Sequence, residues 1–254
     1  LVAAVPVLVW MGFIVWAARM AQRRDTALVE GATQVDERAA NARAAADATK
    51  DEEAAVAARL AEAMRALKSA GSQGAGKGGY LYERPWYVLI GPPGSGKTTA
   101  IRNSGLKFPL AEGRVAGVGG TRNCDWWIAE QAVLIDTAGR YTSQDSDAKT
   151  DRAGWERFLD LLKRERAQQP LNGIIVAFGA DMLCRLDAVG REQHAQAVRQ
   201  RVRELEQRLG QRLPVYLLVS KADMVAGFTE FFDDLDAETR RQVWGVTLTP
   251  DDSP

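Results

Sequence analysis

The run Gly91-Pro92-Pro93-Gly94-Ser95-Gly96-Lys97-Thr98-Thr99 concentrates glycines, hydroxyls and one lysine in a short stretch. The spacing Gly-x-x-x-x-Gly-Lys-Thr suits one task. Gly91, Gly94 and Gly96 let the backbone curl so that successive N–H groups point inward at phosphate oxygens. Lys97 supplies a cation for the outer phosphates, and the Thr98 hydroxyl is placed to ligate Mg²⁺. The whole run from Gly91 to Thr99 is therefore expected to cradle a Mg²⁺-bound nucleotide, GTP or ATP.

A phosphate cradle alone says only that a nucleotide binds. Asp136, at the end of an apolar run, is the expected second metal ligand, opposite Thr98. Asp136-Thr137-Ala138-Gly139 has the Asp-x-x-Gly form of the second phosphate-sensing element in G-protein-like hydrolases, with the Gly139 N–H meeting a γ-phosphate. Thr121 falls in the interval where switch-type hydrolases place a third metal ligand. Arg122 beside it reads as a surface arginine rather than an internal arginine finger. Arg140 stands where such enzymes often carry a water-orienting Gln, and Gln144 lies nearby. Lys97, Thr121 and Arg140 are thus the catalytic candidates, with turnover expected to be slow or partner-stimulated. Ser220-Lys221-Ala222-Asp223 follows another apolar run. Lys221 would cover the base plane and a buried Asp223 carboxylate would accept the guanine edge. G-proteins usually carry Asn where this chain has Ser220, so guanine against adenine stays open.

These groups need strand ends and loops to hold them. Trp86–Ile90 is a buried strand running straight into the cradle, and a short helix follows it to about Asn103. Residues 106–120 form a long Gly-rich irregular segment. Asp125–Ile128 and Ala132–Ile135 read as a hairpin. Trp126 and Trp127 are adjacent, so one faces each side of it. Trp155, Phe158, Leu159 and Leu162 make the stripe of an amphipathic helix. Ile174–Phe178 is a buried strand, and a long helix carries Val198, Val202, Leu205 and Leu209. Pro214–Val219 is another buried strand. Residues 228–244 hold one or two short helices. Strands alternating with helices predict an α/β unit with a mostly parallel sheet and helices on both faces.

Ahead of that unit, Leu1–Ala18 carry no charge, and at helical rise span roughly 27 Å, close to the ~30 Å apolar thickness of a bilayer. Arg19, Arg23 and Arg24 follow, which places the C-terminal side in the cytoplasm. A signal peptide would carry its charges before the apolar core. Three stretches result: a transmembrane helix at 1–20, a helical connector and Gly-rich linker at 21–79, and a cytoplasmic nucleotide-binding domain at 80–254. In the connector, Thr49-Lys50-Asp51-Glu52 fits a capping box, and Val56, Leu60, Met64 and Leu67 form a thin stripe. That stripe reads as a weak packing face on a solvated connector, with a docking helix as the sharper alternative. The start on Leu1 and the finish on Pro254 suggest a fragment of a longer protein.

The bulk numbers exclude little else. Lys plus Arg and Asp plus Glu are balanced at 33 each among 254 residues, so no basic field argues for nucleic acid. Cys124 and Cys184 are far apart and read as reduced thiols. His194 sits at the edge of a helix packing face, and Asp233, Asp234 and Asp236 read as a solvated cluster.

The runs Trp86–Thr99, Gly120-Thr121-Arg122-Asn123-Cys124-Asp125-Trp126-Trp127, Asp136-Thr137-Ala138-Gly139-Arg140-Tyr141 and Val225-Ala226-Gly227-Phe228-Thr229-Glu230-Phe231-Phe232 resemble the TssM (IcmF-like) family over about residues 80–250. The resemblance implies a G-domain-like P-loop NTPase fold in the cytoplasmic domain of a large bacterial inner-membrane protein. It further implies a core place in the type VI secretion membrane complex, oligomeric, beside a TssL-like inner-membrane protein and a TssJ-like lipoprotein, with baseplate components facing the cytoplasmic domain. Two alternatives to a nucleotide switch or hydrolase stand beside it. One is a structural scaffold with vestigial nucleotide binding; the other is a soluble GTPase with a peripheral apolar tail.

Overall fold

The computed structural model describes residues 41–69, 79–108, 124–143 and 148–248. The proposed span at 1–20, the linker glycines of 70–78, Thr121, Arg122 and Gln144 lie outside the described residues. Among the described residues no helix is long and apolar enough to cross a membrane. The chain divides into two units, Leu1–Glu52 and Glu53–Pro254. Of the first, residues 41–52 are helical.

Helix α1 runs through residues 41–69, so Thr49 is not an N-cap. Its hydroxyl instead donates to the Ala45 carbonyl one turn back, at 2.9 Å. The Ala-rich stretch before it has strong helix propensity and carries the helix past the capping pattern.

The second unit is built on a five-stranded sheet in the order β2-β3-β1-β4-β5. The strands are β1 Trp86–Ile90, β2 Cys124–Ile128, β3 Val133–Thr137, β4 Gly173–Gly179 and β5 Val215–Ser220. β1 pairs in parallel with β3 and β4, and β4 in parallel with β5. β2 and β3 form the antiparallel hairpin. The mostly parallel sheet expected from the alternating pattern is present.

Alternation along the strands sorts side chains onto two faces. One face carries Trp86, Val88, Ile90, Cys124, Ile128, Val133, Ile135, Ile174 and Val176. It is covered by helix α4 (Ala148–Glu165), through Trp155, Phe158, Leu159 and Leu162, and by helix α6 (Ala188–Leu209), through Leu205 and Leu209. Val56, Leu60 and Leu67 of α1 are buried in the same core, with Met64 packed against it. The α1 stripe is thus a substantial packing face rather than a weak one, because an unbroken helix presents all four positions on one side. The opposite face holds Leu89 and Leu134, under Ile101 of helix α2 (Lys97–Arg102) and beside Leu106 and Phe108. Trp126 meets Trp86 edge-on across 5.3 Å in the first core, while Trp127 meets Phe108 across 5.4 Å in the second.

β5 departs from expectation. Val215, Tyr216, Leu217 and Val219 are 43–58% exposed. The apolar run does form a strand, but it is an edge strand, and among the described residues its outer side has no neighbour.

One buried cation fixes the start of β1. Arg166 donates to the carbonyls of Leu81 (2.9 Å) and Arg84 (3.3 Å) and to Asn172 Oδ1 (2.9 Å). Its guanidinium lies 5.1 Å from the Tyr82 ring centroid and 4.8 Å from that of Trp86. Burial pushes its pKa down to about 10, so it stays cationic at neutral pH.

Candidate functional site

The Gly-rich loop leaves β1 with Gly91, Gly94 and Gly96 at φ of 152°, 73° and 78°. Side chains avoid these angles, so the glycines set the loop's shape. At Gly91 a Cβ would also collide with the Ala177 carbonyl of β4. The Gly91 N–H donates to Thr142 Oγ1 at 3.0 Å, and that hydroxyl is buried. Thr142 belongs to the short helix α3 (Gly139–Ser143), which sequence reasoning did not find. Its only sequence signal is a Thr three residues past Gly139.

Lys97 opens α2 and turns back into the loop. Its Nζ donates to the Gly91 carbonyl at 2.8 Å, the Pro92 carbonyl at 3.2 Å and Ser95 Oγ at 3.4 Å. Only 7% of Lys97 is exposed. Burial lowers its pKa, and the nearby Asp136 carboxylate partly offsets this. Pro93, Gly94 and Thr99 are exposed around the rim.

Asp136 is fully buried at the end of β3 and reaches α2. Thr98 Oγ1 donates to Asp136 Oδ2 at 2.5 Å. Neighbouring Thr137 donates to the Leu89 carbonyl at 2.6 Å, locking β3 to β1 just below the loop. Gly139 then passes so close to the loop that a Cβ there would collide with the Pro93 backbone. Lys97, Thr98, Asp136 and Gly139, scattered in sequence, are therefore one site. A hydroxyl and a carboxylate form a hard-oxygen pair of the kind that holds Mg²⁺ alongside phosphates.

Arg140 points elsewhere. Its guanidinium donates to the carboxylate of Asp151 in α4 and lies 4.8 Å from the Tyr141 ring centroid. Asp151 is buried, and nothing in its sequence neighbourhood marked it. Asp151 thus ties the turn after Gly139 to α4.

The turn at Ser220–Asp223 meets the loop through Ser220. Ser220 Oγ donates to the Ser95 carbonyl at 2.7 Å, and a Cβ on Gly96 would sit 3.1 Å from the same oxygen. Ser220 thus tethers β5 to the Gly-rich loop. Lys221 follows in the left-handed region at φ 54°, unusual for a residue with a side chain. Its Nζ lies 3.6 Å from Asp181 Oδ2. Asp223 is exposed rather than buried, in a 3₁₀ turn over Ala222–Met224.

The remaining candidates stay apart from this site. His194 is half-buried on α6, and burial alone lowers its pKa. Cys124 is buried and Cys184 exposed, and neither is in a disulfide. Asp233, Asp234 and Asp236 are exposed. No group of three or more His, Cys, Asp or Glu side chains among the described residues is arranged to hold a metal.

Residues 148–254 match the IcmF-related N-terminal domain. The chain is also 54% identical over 214 residues to the type VI secretion system component TssM1 of Pseudomonas aeruginosa. That likeness covers 82% of this chain and 19% of the relative, so the chain spans about a fifth of that protein's length. The 148–254 match takes in α4, which carries Asp151, and the Ser220–Lys221 turn, and the two likenesses together identify the chain as a member of the TssM (IcmF-related) family.

Proposed function

We propose that the α/β unit binds a Mg²⁺–nucleoside triphosphate at Gly91–Thr99 and hydrolyses it slowly, as a G-domain-like P-loop NTPase. The observation that carries this reading is the hydrogen bond from Thr98 to Asp136 beside the Lys97 ammonium. A hydroxyl oxygen and a carboxylate oxygen from different elements meet there, close to that ammonium. The loop N–H groups and Lys97 would bind the phosphates. Thr98 Oγ1 and the Asp136 carboxylate would hold Mg²⁺, which when bound offsets phosphate charge and draws the terminal oxygens into register. Phosphate would also return to Lys97 the stabilisation that burial removes. Gly139 is close enough to the loop for its N–H to sense the terminal phosphate.

The TssM1 relative is a type VI secretion system component, and we assign this chain the same setting. In that setting residues 1–20 span the inner membrane and 80–254 lie in the cytoplasm. The partners would be TssL-like and TssJ-like proteins and the baseplate. Retention in the membrane fraction after alkaline extraction tests the span, and release overturns it.

The test of the site is calorimetric titration of the full chain with GTP and ATP in Mg²⁺, wild type against Lys97→Ala. Charge-assisted hydrogen bonds are each worth about 1.5–3 kcal/mol, so losing two should weaken binding by about 100-fold or more. Equal affinity in the two proteins would sink the proposal. A second reading, a scaffold with vestigial binding, is favoured by the engagement of Arg140 with Asp151. Full secretion in a Lys97→Ala strain with normal protein levels would select it.

A further inference from the structure

The strained Lys221 is held from two sides. Behind it, Ser220 is bonded to the phosphate loop. In front, its ammonium meets Asp181 Oδ2 at 3.6 Å. Asp181 lies on helix α5 (Ala180–Arg185), directly after β4. Its side chain is 9% exposed, and Oδ2 also accepts from Arg185 at 2.8 Å. Its Oδ1 is buried, with no hydrogen-bond partner among the described residues. Between the two residues lies Gly179. A Cβ there would collide with Asp181 Oδ1 and touch the Lys221 stem at 3.4 Å.

Several features of this cluster go beyond folding requirements. A non-glycine residue at φ 54° costs energy and persists only where its surroundings enforce it. A carboxylate this buried, with one oxygen unsatisfied, is costly unless its cations stay in place. The exposed Arg185 is a weak anchor, since helix surface pairs of this kind contribute little. Lys221 is the less exposed of the two cations, although its 3.6 Å separation is longer than the 2.8 Å bond from Arg185. The bare Gly179 lets the carboxylate and the lysine stem lie flat against the end of β4.

We propose that Asp181 and Gly179 form a seat that fixes Lys221, so that its stem makes one wall of a purine-base subsite beside the phosphate loop. Asp181 is a positioning residue: it acts through Lys221 and does not touch the nucleotide. The proposal rests on the nucleotide reading above, and it shifts purine recognition away from the exposed Asp223 toward the seated lysine.

The experiment compares wild type, Asp181→Asn and Gly179→Ala as full chains. Calorimetry with GTP, ATP and inorganic tripolyphosphate, each with Mg²⁺, separates base from phosphate binding. Either substitution should weaken both purine nucleotides by about fivefold, as expected for loss of one partly buried ion pair. Tripolyphosphate affinity should not move. Unchanged nucleotide affinity in Asp181→Asn, or an equal loss for tripolyphosphate, overturns the seat. A second readout needs no nucleotide: the rate at which Lys221 Nζ is acylated by an N-hydroxysuccinimide ester, followed by peptide mass spectrometry. Seated, the Lys221 amine is tied against the Asp181 carboxylate and shielded on that side from the ester, so the rate should rise about fivefold in Asp181→Asn. Equal rates overturn the seat. If wild type binds tripolyphosphate but no purine, the base role falls and phosphate binding stands. If it binds neither, the nucleotide reading falls with it, and the acylation rates alone decide whether the seat exists.

Discussion

The two flanks of the sheet use similar residues to opposite effect. β1 and β3 read Trp-Tyr-Val-Leu-Ile and Val-Leu-Ile-Asp-Thr, and β3 is buried at every position. β5 reads Val-Tyr-Leu-Leu-Val-Ser and has no buried position. The difference lies in what surrounds each strand. β1 and β3 have strands on both sides and helices over both faces, whereas β5 has only β4 beside it. A parallel strand carries apolar side chains on both faces, so an uncovered one exposes both. The site follows the same division. Lys97, Thr98, Asp136 and Gly139 gather at the covered flank, while Lys221 and Asp223 project from the end of the uncovered one.

The sharpest test of that contrast is a pair of truncations followed by urea unfolding. Trp155→Ala removes a fully buried ring stacked on Phe158 and should cost about 3–5 kcal/mol. Leu217→Ala, on β5, should stay within about 0.5 kcal/mol. Comparable losses would mean that β5 is covered in solution. A smaller effect probes the link between the covered flank and the loop. Thr142→Val keeps the shape but strips the buried Gly91 N–H of its acceptor, at about 1–3 kcal/mol. A cost near zero would show that the loop does not depend on α3. The smallest effect concerns the outer surface of the helical layer, where Arg208 grips Asp160 through two bonds of 2.8 Å. The bond to Arg208 holds the Asp160 carboxyl below its usual 3.8. Its contribution is therefore present above that value and is lost as pH falls through the depressed pKa. Both groups are substantially exposed, so Asp160→Asn should cost no more than about 1 kcal/mol, and less at high salt. A larger, salt-independent loss would place this pair among the buried ones.

Most of the covered flank was legible in the sequence because its signals are local. The strand feeding the Gly-rich loop, the β2–β3 hairpin and the α4 stripe each declare themselves through period and turn chemistry. Asp136 could be paired with Thr98 because both sit at motif positions. What escaped was decided by distant neighbours. Thr49 looks like a cap because four residues of pattern outweigh nothing nearby, yet the alanines before it sustain the helix. β5 was expected to be buried because an apolar run does not state which strands will flank it. Thr142, Asp151 and Asp181 carry no motif. Their importance comes from the loop N–H, Arg140 and Lys221 that the fold brings to them. The same holds for Ser220, whose bond to the Ser95 carbonyl no local pattern announces.

Arg166 has a mechanical consequence. It grips backbone carbonyls at Leu81 and Arg84 and the rings of Tyr82 and Trp86, and through Asn172 Oδ1 it shares an acceptor with the Trp86 N–H. Tension that gets past the packed α1 meets this clamp before it reaches the body of β1. The load would pass into α4 and the turn at Asn172, leaving the Gly-rich loop slack. A clamp made of carbonyls and ring faces, with no carboxylate among its named contacts, should hold that load with little regard to salt.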